Sequence, residues 1–195
     1  MTSIQIVILV CWVIFWIYWL ISATSVKPTQ ETRGWLAGNW QRILLLIGFL
    51  FMGDFRFLGR FGVPVDALAR LLIPHAMIIN ILAMILMVLG LLTALIARRI
   101  LAGNWSGAVS LKKDHELITR GPYHYVRHPI YTGILLMAFA TTLSFGTLSA
   151  CIGFLIILLG IWFKLKEEEA LLVEHFPEEY SSYKNRTKIL LPFLW

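Results

Sequence analysis

The sequence predicts an all-α integral membrane protein, a bundle of five transmembrane helices whose last two form a helical hairpin. Of its 195 residues, 58% are hydrophobic and only 14% are charged, whereas soluble domains carry about 45–50% apolar and about 25% charged residues. The apolar residues also fall in long runs, close to the roughly 20 residues that cross a bilayer. At this length we expect a single domain, residues 1–195, with the first three membrane helices in residues 1–110.

Three separate apolar runs predict these first three helices. Residues 4–21 form the first, and a cleaved signal peptide is not expected because no basic residue precedes this run. Residues 35–57 form the second, with charged residues near its ends that can snorkel toward the interface. Residues 71–97 form the third, and Pro74 is predicted to lie at its start.

The predicted hairpin occupies residues 130–163, which carry no charged side chain. A single helix of this length would measure about 51 Å, far more than the roughly 30 Å of hydrocarbon. The sequence Ser-Phe-Gly-Thr at 144–147 supplies residues that favour a turn near the middle. Two antiparallel helices joined there are therefore predicted.

The distribution of basic residues predicts the orientation. With the N-terminus outside, only Arg56, Arg60 and Arg70 of the 17 Lys and Arg residues face outward, as the positive-inside rule requires. The 98–128 loop and the C-terminal tail are then cytoplasmic. Residues 164–186 mix apolar and charged side chains, which predicts a helix along the cytoplasmic membrane surface, although Pro177 interrupts the pattern. We expect the basic excess to meet anionic lipid and not nucleic acid.

Two polar clusters, residues 112–133 and 164–180, stand on either side of the hairpin. Because a hairpin returns the chain to the side it left, both clusters are predicted to meet at one membrane face. In the first cluster, residues 120–123 predict a turn and Pro129 opens a helix, whose free N–H groups can receive an anion. Its tyrosines can pack on a cationic ligand. The alternative is a belt of aromatic and basic residues at the lipid headgroups.

Titratable residues in the two clusters raise the question of a metal site or a site for a cationic ligand. His124 and His128 are four residues apart, but a helix is predicted to start only at Pro129, so the two side chains need not share a helical face. No third ligand stands nearby, and no metal site is predicted. The run Glu167-Glu168-Glu169 follows directly on a membrane span. Its carboxylates can hold an ammonium group, and the alternative is a simple hydrated helix face.

Two stretches resemble the isoprenylcysteine carboxyl methyltransferase family, which belongs to a larger group of small membrane methyltransferases that includes phospholipid N-methyltransferases. They read DHELITRGPYHYVRHPIYTG and KEEEALLVEHFPEEYSSYK. The resemblance covers about residues 111–194, and the N-terminal helices match only in general hydropathy. The combination of RHPxYxG, a hairpin, a glutamate pair and a downstream EEY is specific for the larger group and less specific for the substrate.

The resemblance implies S-adenosylmethionine as cofactor and a catalytic region in residues 111–195. It implies that the cofactor is contacted by His115, Glu116, Leu117, Ile118, Tyr123, His128, Pro129, Ile130, Tyr131, Glu167 and Glu168. Arg127 and Lys164 are expected to bind the acceptor carboxylate, and Arg127, His128 and Glu168 are the expected catalytic residues. Lys164 stands where the family commonly has an arginine, so it keeps the charge but lacks the bidentate fork.

The implied reaction moves a methyl group to the C-terminal carboxylate of a prenylated cysteine, a lipid-linked acceptor reached from the membrane. Such a carboxyl group has a pKa near 3.3–3.7 and is already ionised, so no general base is required. The alternatives are methylation of another membrane lipid such as a phospholipid amine, an NADPH-dependent sterol reductase, whose chains are much longer, and a non-enzymatic scaffold that holds anionic lipid.

Overall fold

The computed structural model describes residues 2–32, 35–53, 55, 61–62, 65–106, 110–112 and 116–191. Its helices are α1 (Ser3–Ala23), α2 (Trp35–Phe51), α3 (Met77–Leu101), α4 (Pro129–Phe145), α5 (Leu148–His175) and α6 (Pro177–Arg186). Two 3-10 turns cover Ala102–Asn104 and Gly121–His124. The predicted helical fold is confirmed, and a short antiparallel pair of strands that was not predicted, β1 (Thr29–Thr32) and β2 (Ser110–Lys112), accompanies it.

Three helical segments are long and apolar enough to cross a membrane, namely Ser3–Ala23, Met77–Asn104 and Leu148–His175. Two shorter apolar helices, Trp40–Phe51 and Pro129–Phe145, lie between them in the chain. Many of their large apolar side chains are exposed, as expected for surfaces that face lipid and not water.

Glycines bring the membrane helices together in two closely packed pairs. A Cβ atom on Gly133 in α4 would lie 2.6 Å from the carbonyl oxygen of Gly90 in α3, and a Cβ atom on Gly153 in α5 would lie 2.6 Å from the carbonyl oxygen of Gly48 in α2. Small residues allow this approach, which maximises van der Waals contact where no hydrophobic effect drives association. The helix α1 packs against α3 and α4 through a cluster that includes Phe15.

The predicted hairpin is confirmed at the predicted turn. The helix α4 ends at Gly146, whose φ of 65° lies in the left-handed region that glycine adopts without strain. Thr147 then caps α5, because its side-chain oxygen accepts a hydrogen bond from the backbone of Ala150 at 3.3 Å. Turn and cap together reverse the chain within three residues.

The predicted start of the third helix at Pro74 is wrong, since α3 begins at Met77. The preceding residues are not helical, because the backbone N–H groups of Leu72 and Ile73 both donate to the carbonyl oxygen of Gly146, at 2.7 and 3.0 Å. Hydropathy could not show this, because an apolar strand-like segment and the first turn of a helix look alike in composition.

Two further boundaries differ from the prediction. The second helix ends at Phe51 instead of reaching residue 57. The tail is not one helix over residues 164–186, because α5 runs without interruption to His175 and α6 starts separately at Pro177. Proline lacks the N–H group that a continuing helix needs, so the break falls there. The polar residues 164–175 therefore extend the membrane helix α5.

Candidate active site

The two polar clusters meet at one end of the bundle, as predicted. The hydroxyl of Tyr131 in the first turn of α4 donates to Glu168 Oε1 in α5 at 2.7 Å. Lys164 Nζ lies 3.9 Å from the same oxygen, one helical turn earlier in α5. His128 Nδ1 lies 3.8 Å from the other carboxylate oxygen, Oε2. Glu168 is thus the centre of a cluster of three groups from α4 and α5.

The chain after α6 runs alongside the start of α4 and fixes its position. The backbone N–H groups of Arg127 and His128 donate to the carbonyl oxygens of Lys188 and Ile189, at 2.8 and 3.2 Å. The Thr132 hydroxyl donates to the carbonyl oxygen of Leu190 at 2.7 Å. Pro129 occupies the first position of α4, so the next N–H groups of the helix have no intrahelical acceptor and point out of its end.

Glu169 forms a second cluster that sequence reasoning missed. Arg127 Nε donates to Glu169 Oε1 at 2.6 Å, and both side chains are almost completely buried. His128 Nε2 lies 3.5 Å from the same oxygen, and Lys184 Nζ lies 3.6 Å from Oε2. Arg127 also donates through Nη1 to the carbonyl oxygen of Thr187 at 2.7 Å. The guanidinium therefore ties α5 to the tail.

A cavity of about 850 Å³, counted with its open mouth, lies beside these clusters. Most of the predicted site residues line it, namely Glu116, Leu117, Ile118, Tyr123, Arg127, His128, Ile130, Tyr131 and Glu168. Pro129, Lys164 and Glu167 lie outside this lining, and His115 lies outside the described residues.

Other parts of the chain, which the sequence patterns do not single out, complete the cavity. The additional lining residues are Leu101, Asn104, Trp105, Ser106, Leu171, Leu172, Tyr180 and Tyr183. Helical spacing from Glu168 could have indicated Leu171 and Leu172, because residues three and four apart share a helix face. The segment after α3 offered no such signal, since its polar residues are few and isolated.

A sequence profile of the isoprenylcysteine carboxyl methyltransferase (ICMT) family matches residues 77–174. This range covers α3, α4 and nearly all of α5. The chain belongs to this family.

Named relatives of this ICMT-family chain share the same region. It is 32% identical over 118 residues to protein-S-isoprenylcysteine O-methyltransferase of Saccharomyces cerevisiae, which covers 59% of this chain and 49% of that protein. The Schizosaccharomyces pombe protein of the same name is 34% identical over 83 residues, 42% of this chain and 35% of that protein. The chain thus spans about half the length of the first of these relatives and about a third of the second.

A solved structure shows the same fold. It is described as the eukaryotic intramembrane Ras methyltransferase ICMT, and its TM-score with this ICMT-family chain is 0.53 at 23% identity. The match covers 78% of this chain and 52% of that one. The likeness extends beyond the profile match, since 78% of this chain is more than residues 77–174 provide.

Buried tyrosines complete the site of this ICMT-family chain. The Tyr183 hydroxyl donates to the carbonyl oxygen of Tyr123 at 2.5 Å, which fastens α6 to the turn before α4. Burial raises the pKa of both phenols, and it does the same for Tyr180. All three therefore stay protonated over the physiological pH range, so they remain hydrogen-bond donors and add no negative charge to the cavity.

Proposed function

We propose that this chain transfers a methyl group from S-adenosylmethionine to the C-terminal carboxylate of a prenylated cysteine. The observation that carries the proposal is the partly buried carboxylate of Glu168, which lines the cavity and accepts a hydrogen bond from Tyr131 of the facing helix. The membership of the ICMT family and the named relatives support the choice of reaction.

The residues of the cavity fit this cofactor chemically. S-adenosylmethionine, when bound, supplies a methyl group on a positively charged sulfur. Glu168 offers negative charge for the cationic part of the molecule, and the N–H groups of Ile130 and Tyr131 at the start of α4 suit its carboxylate. Tyr123 offers an aromatic surface, and Glu116, Leu117 and Ile118 form a wall.

The protein's contribution to the reaction is placement and exclusion of water. An ionised carboxylate needs no base, so the chain needs to hold the acceptor in line and reduce its hydration. Such orientation can lower the activation free energy of the reaction by about 7–11 kcal/mol. Lys164 lies within reach of Glu168, and we propose that its ammonium guides the acceptor carboxylate. We assign Arg127 mainly to positioning, because Nε and Nη1 already bind Glu169 and the tail.

The membrane arrangement proposed here has five spans, with α2 and α4 crossing as well as the three long helices. The site then faces the cytoplasm, α6 lies at the membrane surface, and the prenyl chain enters between helices from the bilayer. In this arrangement the basic residues gather on the cytoplasmic side, where anionic lipids attract them.

Cofactor affinity tests the proposal directly. Purified protein in detergent is titrated with S-adenosylmethionine, and Glu168→Ala, His128→Ala and Glu167→Ala are compared with the wild type. Glu168→Ala is expected to weaken binding about 10- to 100-fold, since a charged hydrogen-bond acceptor is lost. Glu174→Ala is the matched control, because this glutamate is exposed on the same helix. Equal affinities in all variants would contradict the proposed site.

The pH dependence distinguishes a carboxylate acceptor from an amine acceptor. With an S-prenylated cysteine as substrate, the rate is expected to be flat above about pH 6, because the acceptor is fully ionised there. A phospholipid amine must lose a proton before it attacks, so its rate would rise steeply with pH. Turnover of an amine phospholipid with that rise, and none of the prenylated cysteine, would replace the carboxylate proposal by the amine one.

A further inference from the structure

A second wall of the cavity is formed by residues 101–106, between α3 and β2, far in sequence from the glutamates. From this wall we infer that Asn104 donates a hydrogen bond to a ring nitrogen of the adenine of the cofactor and that Lys27 fixes the orientation in which it does so. The inference rests on the proposed function. It gives a ligand-binding role to the end of the cavity that lies away from the Glu168 cluster.

The contact between Lys27 and Asn104 determines which way the amide faces. Lys27 Nζ donates to Asn104 Oδ1 at 3.1 Å. An ammonium group has only donors, so the amide oxygen has to face the lysine and the NH2 group has to face elsewhere. Asn104 is only 8% exposed and lines the cavity. A ligand in the cavity can therefore accept a hydrogen bond from this NH2 group.

The backbone next to Asn104 is held at two of its carbonyl groups. The Lys27 backbone N–H donates to the carbonyl oxygen of Gly103 at 3.0 Å. Arg98, which is 1% exposed, donates through Nη1 to the carbonyl oxygen of Ala102 at 2.7 Å and through Nη2 to that of Ser22 at 2.6 Å. These contacts keep the turn in one shape and thereby keep the amide in place.

The turn includes a backbone conformation that is unfavourable for its residue. Ala102 has a φ of 48°, in a region where residues other than glycine are uncommon. Such a conformation persists where the surroundings enforce it, and it occurs most often at functional sites. Ala102 lies two residues before Asn104, in the segment that forms this wall of the cavity.

The chemistry of this wall suits a neutral, acceptor-rich aromatic group. Next to Asn104, the ring of Trp105 also lines the cavity, and it is backed by the Arg98 guanidinium at 4.6 Å from its centroid. A purine carries ring nitrogens that accept hydrogen bonds and a flat apolar surface that packs on an indole. The cationic end of the cofactor belongs instead near the Glu168 carboxylate, so the two walls select opposite ends of one molecule.

The experiment uses S-adenosylhomocysteine and three analogues in which ring nitrogen 1, 3 or 7 of the adenine is replaced by carbon. On the wild-type chain, one of the three analogues is expected to bind about tenfold more weakly than its parent, because one donor loses its acceptor. On Asn104→Leu, which has nearly the same size but no donor, that analogue and its parent are expected to bind equally.

Two further variants separate the amide from general effects. Lys27→Met frees the amide to rotate, so the preference for the parent compound is expected to shrink. Asn185→Leu, at an exposed position of α6, makes the same change away from the cavity and is expected to retain the full preference. If Asn104→Leu does not fold, the wild-type series and Lys27→Met still decide the question.

The outcomes distinguish this inference from the proposed function. If the wild type binds neither S-adenosylmethionine nor S-adenosylhomocysteine, the proposed function fails and the inference fails with it. If it binds both, but no analogue is weaker than the parent or the loss persists in Asn104→Leu, the inference alone is overturned.

Discussion

At the scale of single residues, adjacent glutamates have different surroundings because successive residues of a helix point about 100° apart. Glu168 faces the cavity and contacts Tyr131, whereas Glu169 contacts Arg127 and Lys184 and so joins α5 to the tail. From the sequence, the family resemblance implies cofactor contacts for Glu167 and Glu168 and gives Glu169 no role. Which partner each glutamate contacts depends on how α5 is rotated about its own axis relative to α4.

Glu169→Gln is expected to destabilise the protein, because the buried Arg127 guanidinium loses its charged partner. The expected loss is about 1–3 kcal/mol of unfolding free energy, measured as a lower midpoint of thermal unfolding in detergent. Glu174→Gln, at an exposed position of the same helix, is expected to leave the midpoint unchanged. A midpoint for Glu169→Gln equal to that of the wild type would show that the contact carries no net stability.

Ala102→Gly is expected to raise stability by about 1 kcal/mol, because glycine adopts a positive φ without the clash that alanine suffers. Ala83→Gly is the matched comparison, since this fully buried residue lies inside α3. There the same change is expected to lower stability by about 1 kcal/mol. Thermal unfolding of both variants should give shifts of opposite sign, and shifts of the same sign would contradict the assigned strain.

At the scale of elements, the helices associate in pairs through glycine, and this pairing positions both sides of the site. The helix α3 carries residues 101–106 at its end, and its partner α4 carries His128 and Tyr131 at its start. The close contact of Gly90 with Gly133 therefore sets the distance between the two walls of the cavity. Any change in that spacing is expected to change the width of the cavity.

Gly133→Ala is expected to destabilise the α3–α4 pair, because the new Cβ would lie 2.6 Å from the Gly90 carbonyl oxygen and 2.8 Å from Ala94 Cβ. The expected loss is about 1–3 kcal/mol of unfolding free energy, with weaker cofactor binding. Gly160→Ala is the control, since its nearest contact would be 3.3 Å, to Leu44 Cβ. Equal unfolding midpoints for the two variants would contradict the proposed role of the close approach.

Helix positions were predictable from the sequence where composition changes sharply, and less so elsewhere. The hairpin turn was found because Gly146 interrupts a run too long for one span. The end of α5 was missed because lysine, glutamate and leucine are all good helix formers, so the helix continues beyond the point where its composition turns polar. The start of α3 was missed because Leu72 and Ile73 bond to the hairpin turn, a tertiary contact that no local pattern encodes.

At the scale of the whole molecule, the loops collect at two ends of the bundle. At one end β1 pairs with β2 and Arg127 bonds to Lys188. At the other end the backbone N–H of Leu148 donates to the carbonyl oxygen of Arg70 at 2.9 Å. The meeting of the two polar clusters was predictable, because a hairpin imposes it. The contribution of Asn104 was not predictable, because it depends on the end of α1 lying next to the end of α3.

This arrangement of ends predicts which positions share a side of the membrane. With Cys11→Ala and Cys151→Ala as background, a single cysteine is introduced by Thr119→Cys, Ser182→Cys or Asp66→Cys, all at exposed positions. In sealed vesicles, a membrane-impermeant maleimide is expected to label residues 119 and 182 from one side and residue 66 only from the other. All three should react after the vesicles are permeabilised, which controls for accessibility.

The two possible failures of this labelling pattern have different meanings. If residues 119 and 182 react from opposite sides, the turn before α4 and the helix α6 cannot share a cavity, and the proposed site is lost. If residue 66 reacts from the same side as residue 119, α3 does not cross the bilayer, and the five-span arrangement is lost while the site itself can remain. The geometry at Glu168 requires only that α4 and α5 present their polar ends together, so the first result tests the chemistry and the second tests the path of the chain.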